Sequence, residues 1–421
     1  MTAAFKDGVP SDSNLSVPQE LIDYILDFLH DDVPTLRTCS LVSHAFLPCS
    51  RYHIYSNVFI ADFSELNVLR EQYAGQLYQC KNLAALLKHS PHVAPLVTRF
   101  GIHAMSDFMT EAYMDTSLVS ILPSLHNLSQ IELMSRRNEI FCSFHLLRPF
   151  LASLRSIPLK TFIFSAIAFE IPEQFEEVFT AAANPALKHL SLICNSGAER
   201  TSEPYSPIRP TPDGLPSLES LSMAGTATSS NIAWLFFNQS LYGISCIRHL
   251  SLQIDRNTTT LLIQRLLNEM QGALESFTLD VNTWTDLSRH RRLSSFFMIF
   301  GSPRLDPRLL EIHLNPTLRT LTVERACHKW ERSLPHSVNV WAQVDAYLDK
   351  LALPALQSVH VRLHDSAHGI CHCFECDGSE LPRDHDQWKR QVEDAMSLLR
   401  GRGILGVEVV KQRYCIQRVF D

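Results

Sequence analysis

Asn184-Pro-Ala-Leu187-Lys-His-Leu190-Ser-Leu192 is the stretch from which the fold can be read. Its leucines follow the rule apolar-x-x-apolar-x-apolar, and the last two are spaced as on a strand with one buried face. The same triplet occurs at Val97/Phe100/Ile102, Leu128/Ile131/Leu133, Leu159/Phe162/Phe164, Leu218/Leu221/Met223, Ile247/Leu250/Leu252 and Leu274/Phe277/Leu279. Later copies are Leu318/Leu321/Val323, Leu356/Val359/Val361 and a weaker Ile404/Val407/Val409. The steps between first positions are 31, 31, 28, 31, 29, 27, 44, 38 and 48 residues. One triplet means little in a chain that is 45% hydrophobic, but six consecutive steps of similar length mark a repeat array. The last three steps are longer and read as repeats carrying insertions. Related phrases precede several triplets: Leu215-Pro-Ser-Leu218, Asn315-Pro-Thr-Leu318 and Leu353-Pro-Ala-Leu356. Proline there sets the start of each strand.

Helical stretches lie between the triplets, at 145–154, 173–184, 258–273, 338–352 and 384–400. Strands alternating with helices at this period predict an α/β fold with parallel strands and helices on one side. The triplet resembles the strand core of a leucine-rich repeat. An irregular solenoid is expected, strands lining the concave side and helices the convex side. The asparagine that usually follows the third apolar position occurs only at Asn195 and Asn282, so the curvature should be uneven.

Ahead of the array stands a compact helical block. Ser16 and Gln19 have capping-box spacing, and Pro18 suits a first turn. Leu21, Ile22, Ile25, Leu26, Phe28 and Leu29 then make one wide apolar face. Asp31, Asp32 and Pro34 separate this helix from a second run with Leu36, Cys39, Leu41, Val42 and Phe46. A block of this size is marginal alone, so part of its apolar surface needs a partner or the rest of the chain. Residues 1–15 are small and polar and are expected to be disordered.

Composition excludes several classes. The 421 residues carry a net charge of -7, which is no footprint for nucleic acid. The one basic cluster, Arg289-His290-Arg291-Arg292, reads as a solvated loop or helix end. No stretch has the length and apolarity of a membrane span, and the first residues lack a signal-peptide core. The 11 cysteines are therefore expected as reduced thiols in the cytoplasm or nucleus.

Three features could carry chemistry. His364, His368, Cys371, His372, Cys373 and Cys376 offer ligands for zinc, but a second C-x-x-C pair is missing. The expectation is no metal there, with Cys371, His372, Cys373 and Cys376 as the only candidates. Gly401-x-Gly403-x-x-Gly406 matches a dinucleotide motif, but the helix precedes it and the strand follows. These glycines are read as closing a helix and turning into the last strand. His189, His249 and His360 stand between the apolar strand positions, where no nucleophile is paired with them. No cofactor and no enzymatic activity are expected.

The block from Val17 to about Ile60 resembles an F-box. Val17-Pro18-Gln19-Glu20-Leu21-Ile22-Asp23-Tyr24-Ile25 is similar to the opening L-P-x-E-[LI]-[LI]-x-x-I of that family. Leu29, Leu36, Cys39, Leu41-Val42-Ser43 and Phe46 match its second half, L-x-x-C-x-L-V-S-x-x-[WF]. With Ser50-Arg51-Tyr52-His53 after it, the stretch looks like the F-box proteins of mushroom-forming fungi, which carry degenerate leucine-rich repeats behind the box. The resemblance implies disordered residues 1–15, an F-box at 16–60, a helical connector at 61–95 and a repeat solenoid at 96–421. It implies a non-catalytic substrate receptor of a cullin-RING ubiquitin ligase. Val17, Pro18, Leu21, Ile22, Ile25, Leu29, Leu41 and Val42 would then meet a Skp-type adaptor. Some of them must instead hold the box's own helices together. A target protein would meet His189, Ser191, His249, Ser251, Gln253, Asp280, Glu324, His360 and Arg362, or the insertion at 197–216. The alternative expectations are an interaction scaffold that recruits no ligase and, of another class, a zinc-dependent or thiol-based activity at 364–376.

Overall fold

A computed structural model describes residues 17–61, 76–104, 116–135, 150, 152–165, 172–193, 217–225, 232, 235, 243–253, 260–270, 272–280, 286–300, 314–327, 335–351, 353–365 and 385–411. The fold is α/β. Its strands are β1 (Asn57–Ala61), β2 (Gln76–Tyr78), β3 (Arg99–Ala104), β4 (Gln130–Ser135), β5 (Thr161–Ser165), β6 (His189–Ile193) and β7 (Ser220–Ala224), followed by β8 (His249–Leu252), β9 (Ser276–Asp280), β10 (Ser295–Phe300), β11 (Thr320–Cys327), β12 (Ser358–Asp365) and β13 (Leu405–Lys411). They form one 13-stranded sheet in the order β13 through β3 and then β1 and β2. Every pairing is parallel. From β3 onward each strand lies beside its neighbours in sequence, the order a repeat array requires.

The triplets supply the core. Each is buried from Val97/Phe100/Ile102 through Leu356/Val359/Val361, whereas in the last only Val407 is buried. Helices pack into the same apolar cluster: α4 (Cys80–His89) through Leu83 and Leu87, α6 (Pro172–Ala182) through Val178 and Phe179, and α7 (Thr260–Glu269) through Ile263 and Leu266. A short α5 (Thr116–Ile121) adds Leu118 and Ile121. Later come α8 (Pro335–Lys350) with Trp341 and Val344, α9 (His385–Ala395) with Val392, and α10 (Ser397–Gly401) with Leu399. Asp345 of α8 is buried, yet its two carboxylate oxygens accept the Leu398 and Leu399 amides at 2.8 and 3.0 Å. That carboxylate satisfies the free amides at the start of α10 and locks two helices together.

A backbone ladder runs beneath the strand starts. The Ser129 carbonyl accepts the amides of both Lys160 and Thr161, at 2.8 and 3.0 Å. The Lys160 carbonyl does the same for Lys188 and His189, and the pattern continues through Lys188, Glu219, Arg248, Glu275, Ser294 and Arg319. It needs no side chain. Asn195 and Asn282 lie outside the described residues.

Two triplets are additions to the sequence reading. Leu293/Phe296/Met298 belongs to β10, where Phe296 pairs with Phe277 and Met298 with Leu279. The 44-residue step is thus two repeats, not one with an insertion. The continuous run Phe296-Phe297-Met298-Ile299-Phe300 has no polar alternation to reveal it. Tyr55/Val58/Ile60 is the other, with Val58 opposite Phe100 and Ile60 opposite Ile102. β1 therefore joins the sheet before the expected end of the helical block. The stretch expected as a helical connector holds β2 as well as α4.

The N-terminal helices are α1 (Gln19–Asp27), α2 (Val33–Val42) and α3 (Leu47–Ser56). Asp32 starts α2, its carboxylate accepting the Thr35 amide at 3.1 Å and hydroxyl at 2.6 Å. Those bonds lower the Asp32 proton affinity. Leu26, Leu36 and Ile54 form a small core among the three helices. α3 runs into β1 without a loop, and Tyr55 packs against both this core and the main one. Gly403, with φ 70°, turns the chain from α10 into β13, as read from the sequence. No helix of the described residues is long and apolar enough to cross a membrane.

Phe162 is fully buried and meets Phe164 and Phe179 with ring centroids 6.3 and 6.2 Å apart. Phe162→Ala should cost about 3–5 kcal/mol in chemical denaturation. Because each repeat touches chiefly its neighbours, hydrogen exchange should rise in β4 to β6 before it rises in β11 to β13.

Candidate functional site

α1 carries apolar residues on two faces. At ~100° per residue, Ile22 and Leu26 share one face and Leu21, Tyr24, Ile25 and Phe28 another. The first packs on Leu36 and Ile54, and Leu26 is 1% exposed. The second is open to solvent: Ile25 is 55% and Phe28 70% exposed, and Tyr24 meets Phe28 edge to face at 4.8 Å. Val17, Leu41 and Val42 are exposed too, Leu41 at 87%. Gln19 donates to the Ala45 carbonyl at 2.8 Å, which ties the start of α1 to the segment just after Val42.

Of the residues expected to meet an adaptor, Val17, Pro18, Leu21, Ile25, Leu41 and Val42 are exposed. Ile22 and Leu29 are partly buried against the small core. Tyr24 and Phe28 belong to the open face and were not among the expected contacts. Their helical spacing from Leu21 and Ile25 was the available signal.

The third face of α1 is acidic and meets α3. The Asp27 carboxylate and the His53 Nε2 are 2.8 Å apart, and Cys49 Sγ approaches the same Asp27 oxygen at 3.8 Å. Burial pushes the Cys49 thiol up to about 11, with Asp27 and Asp23 adding to the shift. A cavity of about 350 Å³ opens elsewhere on the block, lined by Arg37, Ser40, Leu41, Leu47, Arg51, Ile54, Tyr55 and Tyr78. Burial pushes the Tyr78 phenol up to about 12.

The sheet's second face carries the residues between the triplet positions. His189, Ser220 and His249 are consecutive in one row, and Ser191, Ser222, Ser251 and Thr278 in the next. Continuing that row through β11 and β12 gives Thr322 and His360. His189, His249, Gln253, His360 and Arg362 are exposed, and Ser251 and Glu324 half-exposed. Arg362 pairs with Glu408 at 3.3 Å. Partial burial lowers the proton affinity of His189, with the Glu219 carboxylate opposing the shift. Ser191 departs from the expectation: it is on this face but buried, and neither its hydroxyl nor that of Ser222 has a partner. A small side chain between neighbouring strands is screened by them, whereas a longer one reaches solvent. Asp280 lies on β9 and His364 on β12. His368, Cys371, His372, Cys373, Cys376 and the loop 197–216 lie outside the described residues.

At the other end of this face, Arg99 pairs with the buried Glu132, and its guanidinium stands 5.3 Å over the Phe59 ring. Gly101 sits in register between Phe59 and Glu132. The basic cluster is also partly a correction. Arg289, Arg291 and Arg292 are exposed, but His290 is buried with neither ring nitrogen bonded.

No family model and no curated protein matches the chain.

Two outcomes follow from these burials. Arg99→Ala strips the counter-charge from a buried carboxylate and should destabilise by about 3 kcal/mol in urea denaturation. Arg99→Lys should recover part of that loss. Burial lowers the His290 proton affinity, and Asp286 opposes it less strongly. The unfolded chain then binds a proton more readily than the folded one. Stability should therefore be full above the ordinary histidine value of 6.5 and fall as pH drops below it. In His290→Leu, thermal melts between pH 7 and pH 5 should lose that component of the slope.

Proposed function

We propose that the chain is a non-catalytic substrate receptor of a cullin-RING ubiquitin ligase, docking on a Skp-type adaptor through α1 and the end of α2. The observation that carries this reading is the second apolar face of α1. Leu21, Tyr24, Ile25 and Phe28 remain in water although the same helix already buries Leu26 against its own block. Monomeric proteins rarely expose a large contiguous apolar patch, and an exposed apolar helix face suits a partner helix. The F-box resemblance names the partner class.

In this reading the repeats are leucine-rich, and a target protein lies along the sheet face carrying His189, His249, Gln253, His360 and Arg362. The mix of imidazole, amide, hydroxyl and guanidinium groups on that face offers hydrogen bonds to a protein surface. The receptor itself transfers nothing. It raises the local concentration of target beside the ubiquitin-loaded partner.

The chain should co-purify with its host's Skp adaptor after co-expression. Ile25→Asp should abolish the complex while leaving the thermal melt of the free chain unchanged, because Ile25 is 55% exposed. Leu26→Asp, by contrast, should unfold the block. A folded chain that captures no adaptor would leave the interaction scaffold as the better reading, and an Ile25→Asp variant that still captures it would overturn docking through the open face of α1.

A further inference from the structure

The acidic face of α1 and the facing side of α3 bring three different donor atoms together. Asp27 Oδ1, Cys49 Sγ and His53 Nε2 all lie within 4.8 Å of one another. Cys49 and His53 are one helical turn apart on α3, so both project from the same side of that helix. Asp27 closes the triangle from the last turn of α1.

A four-coordinate zinc with bonds of about 2.0–2.3 Å holds its ligands roughly 3.3–3.8 Å apart. The thiol and carboxylate already stand 3.8 Å apart. The carboxylate and imidazole, at 2.8 Å, must open by about half an ångström to admit the ion. Asp27 is exposed, so that movement meets no packing. A thiolate, an imidazole and a carboxylate together suit a borderline ion, not magnesium or calcium, which take oxygen ligands.

We propose that Asp27, Cys49 and His53 form a zinc site that staples α1 to α3, the fourth position being filled by water. On binding, the Cys49 thiol releases its proton to solvent, and His53 presents the Nε2 lone pair with its proton on Nδ1. The site is set apart from the adaptor-facing residues, because Asp27 and Ile25 lie on different sides of α1. Its role is structural. The block's fully buried apolar core is small, with Leu26, Leu36 and Ile54 at its centre, so a metal cross-link would raise its stability appreciably. This inference stands whether or not the adaptor reading holds.

The test uses the full chain with Cys371, Cys373 and Cys376 all changed to serine, so that the other cysteine cluster cannot bind the metal. Calorimetry should then find one zinc per chain, and zinc should raise the melting temperature. Cobalt substitution should give tetrahedral ligand-field bands and a thiolate-to-cobalt charge-transfer band that Cys49→Ser removes. Asp27→Asn keeps an acceptor for His53 and should fold normally without metal, yet bind zinc about tenfold or more weakly. His53→Gln should behave likewise. Absence of zinc binding by the serine-substituted chain would overturn the site. So would zinc affinity that Asp27→Asn and Cys49→Ser leave unchanged, since the three groups would then merely hydrogen-bond to one another.

Discussion

Everything in this sheet depends on one repeated backbone contact, a carbonyl at each strand start that receives two amides from the next repeat. The chain of acceptors from Thr98 through Ser129, Lys160, Lys188, Glu219, Arg248, Glu275, Ser294 and Arg319 fixes the register of each strand from β4 to β12 relative to the last. Once register is fixed, side-chain alternation decides the rest: each second and third triplet residue goes to the helix side, and the residues between them go to the other face. Because the ladder uses only main-chain groups, the side chains along it can vary freely. Lysine, glutamate, arginine and serine all occupy the same position, and Lys188 pairs with Glu219 across one rung. That pairing lowers the Glu219 proton affinity. The ladder explains how the repeats stay aligned across the described strands without a recurring polar residue in the sequence.

The same property set how much could be read from the chain. The triplets at Leu187, Leu218 and Ile247 were legible because polar residues flank each apolar one and proline or glycine precedes them at regular intervals. β10 was hidden because its run from Phe296 to Phe300 is apolar on both faces, as a parallel strand with two covered faces often is. Met298 is buried while Phe297 and Ile299 are half-buried. β1 was hidden for a different reason. Its first apolar residue, Tyr55, lies in the last turn of α3, so helical and strand periodicities overlap there. A 19-residue step from Leu274 to Leu293 also falls well below the spacing of the other repeats.

On the helical block, apolar spacing identified α1 but not which of its apolar residues face inward. Ile22 and Ile25 are equally apolar and three residues apart, and only the positions of Leu36 and Ile54 decide between them. The cluster of Asp27, Cys49 and His53 is a second case. Cys371, Cys373 and Cys376 attract notice because they are close in sequence. Asp27 and Cys49 are 22 residues apart and meet only because α1 packs on α3. Sequence spacing finds ligands that one segment supplies, not those that packing assembles.

The join between block and sheet bears on the proposed receptor role. A receptor must hold its target at a set distance and angle from the partner its other end grips, or the gain from proximity is lost. A flexible linker would forfeit much of that gain. Here Ser56, the last residue of α3, supplies the first carbonyl of the ladder, accepting the Thr98 amide at 3.0 Å and the Thr98 hydroxyl at 3.2 Å. Tyr55 beside it is shared by both apolar cores. The third helix is thus continuous with the sheet in both hydrogen bonding and packing. A partner bound on the open face of α1 would be placed by α1, α3 and β1 as one rigid series, and anything that loosens α1 from α3 would loosen that placement. Metal at Asp27, Cys49 and His53 would act on the α1–α3 contact, the step in the series whose apolar core is smallest.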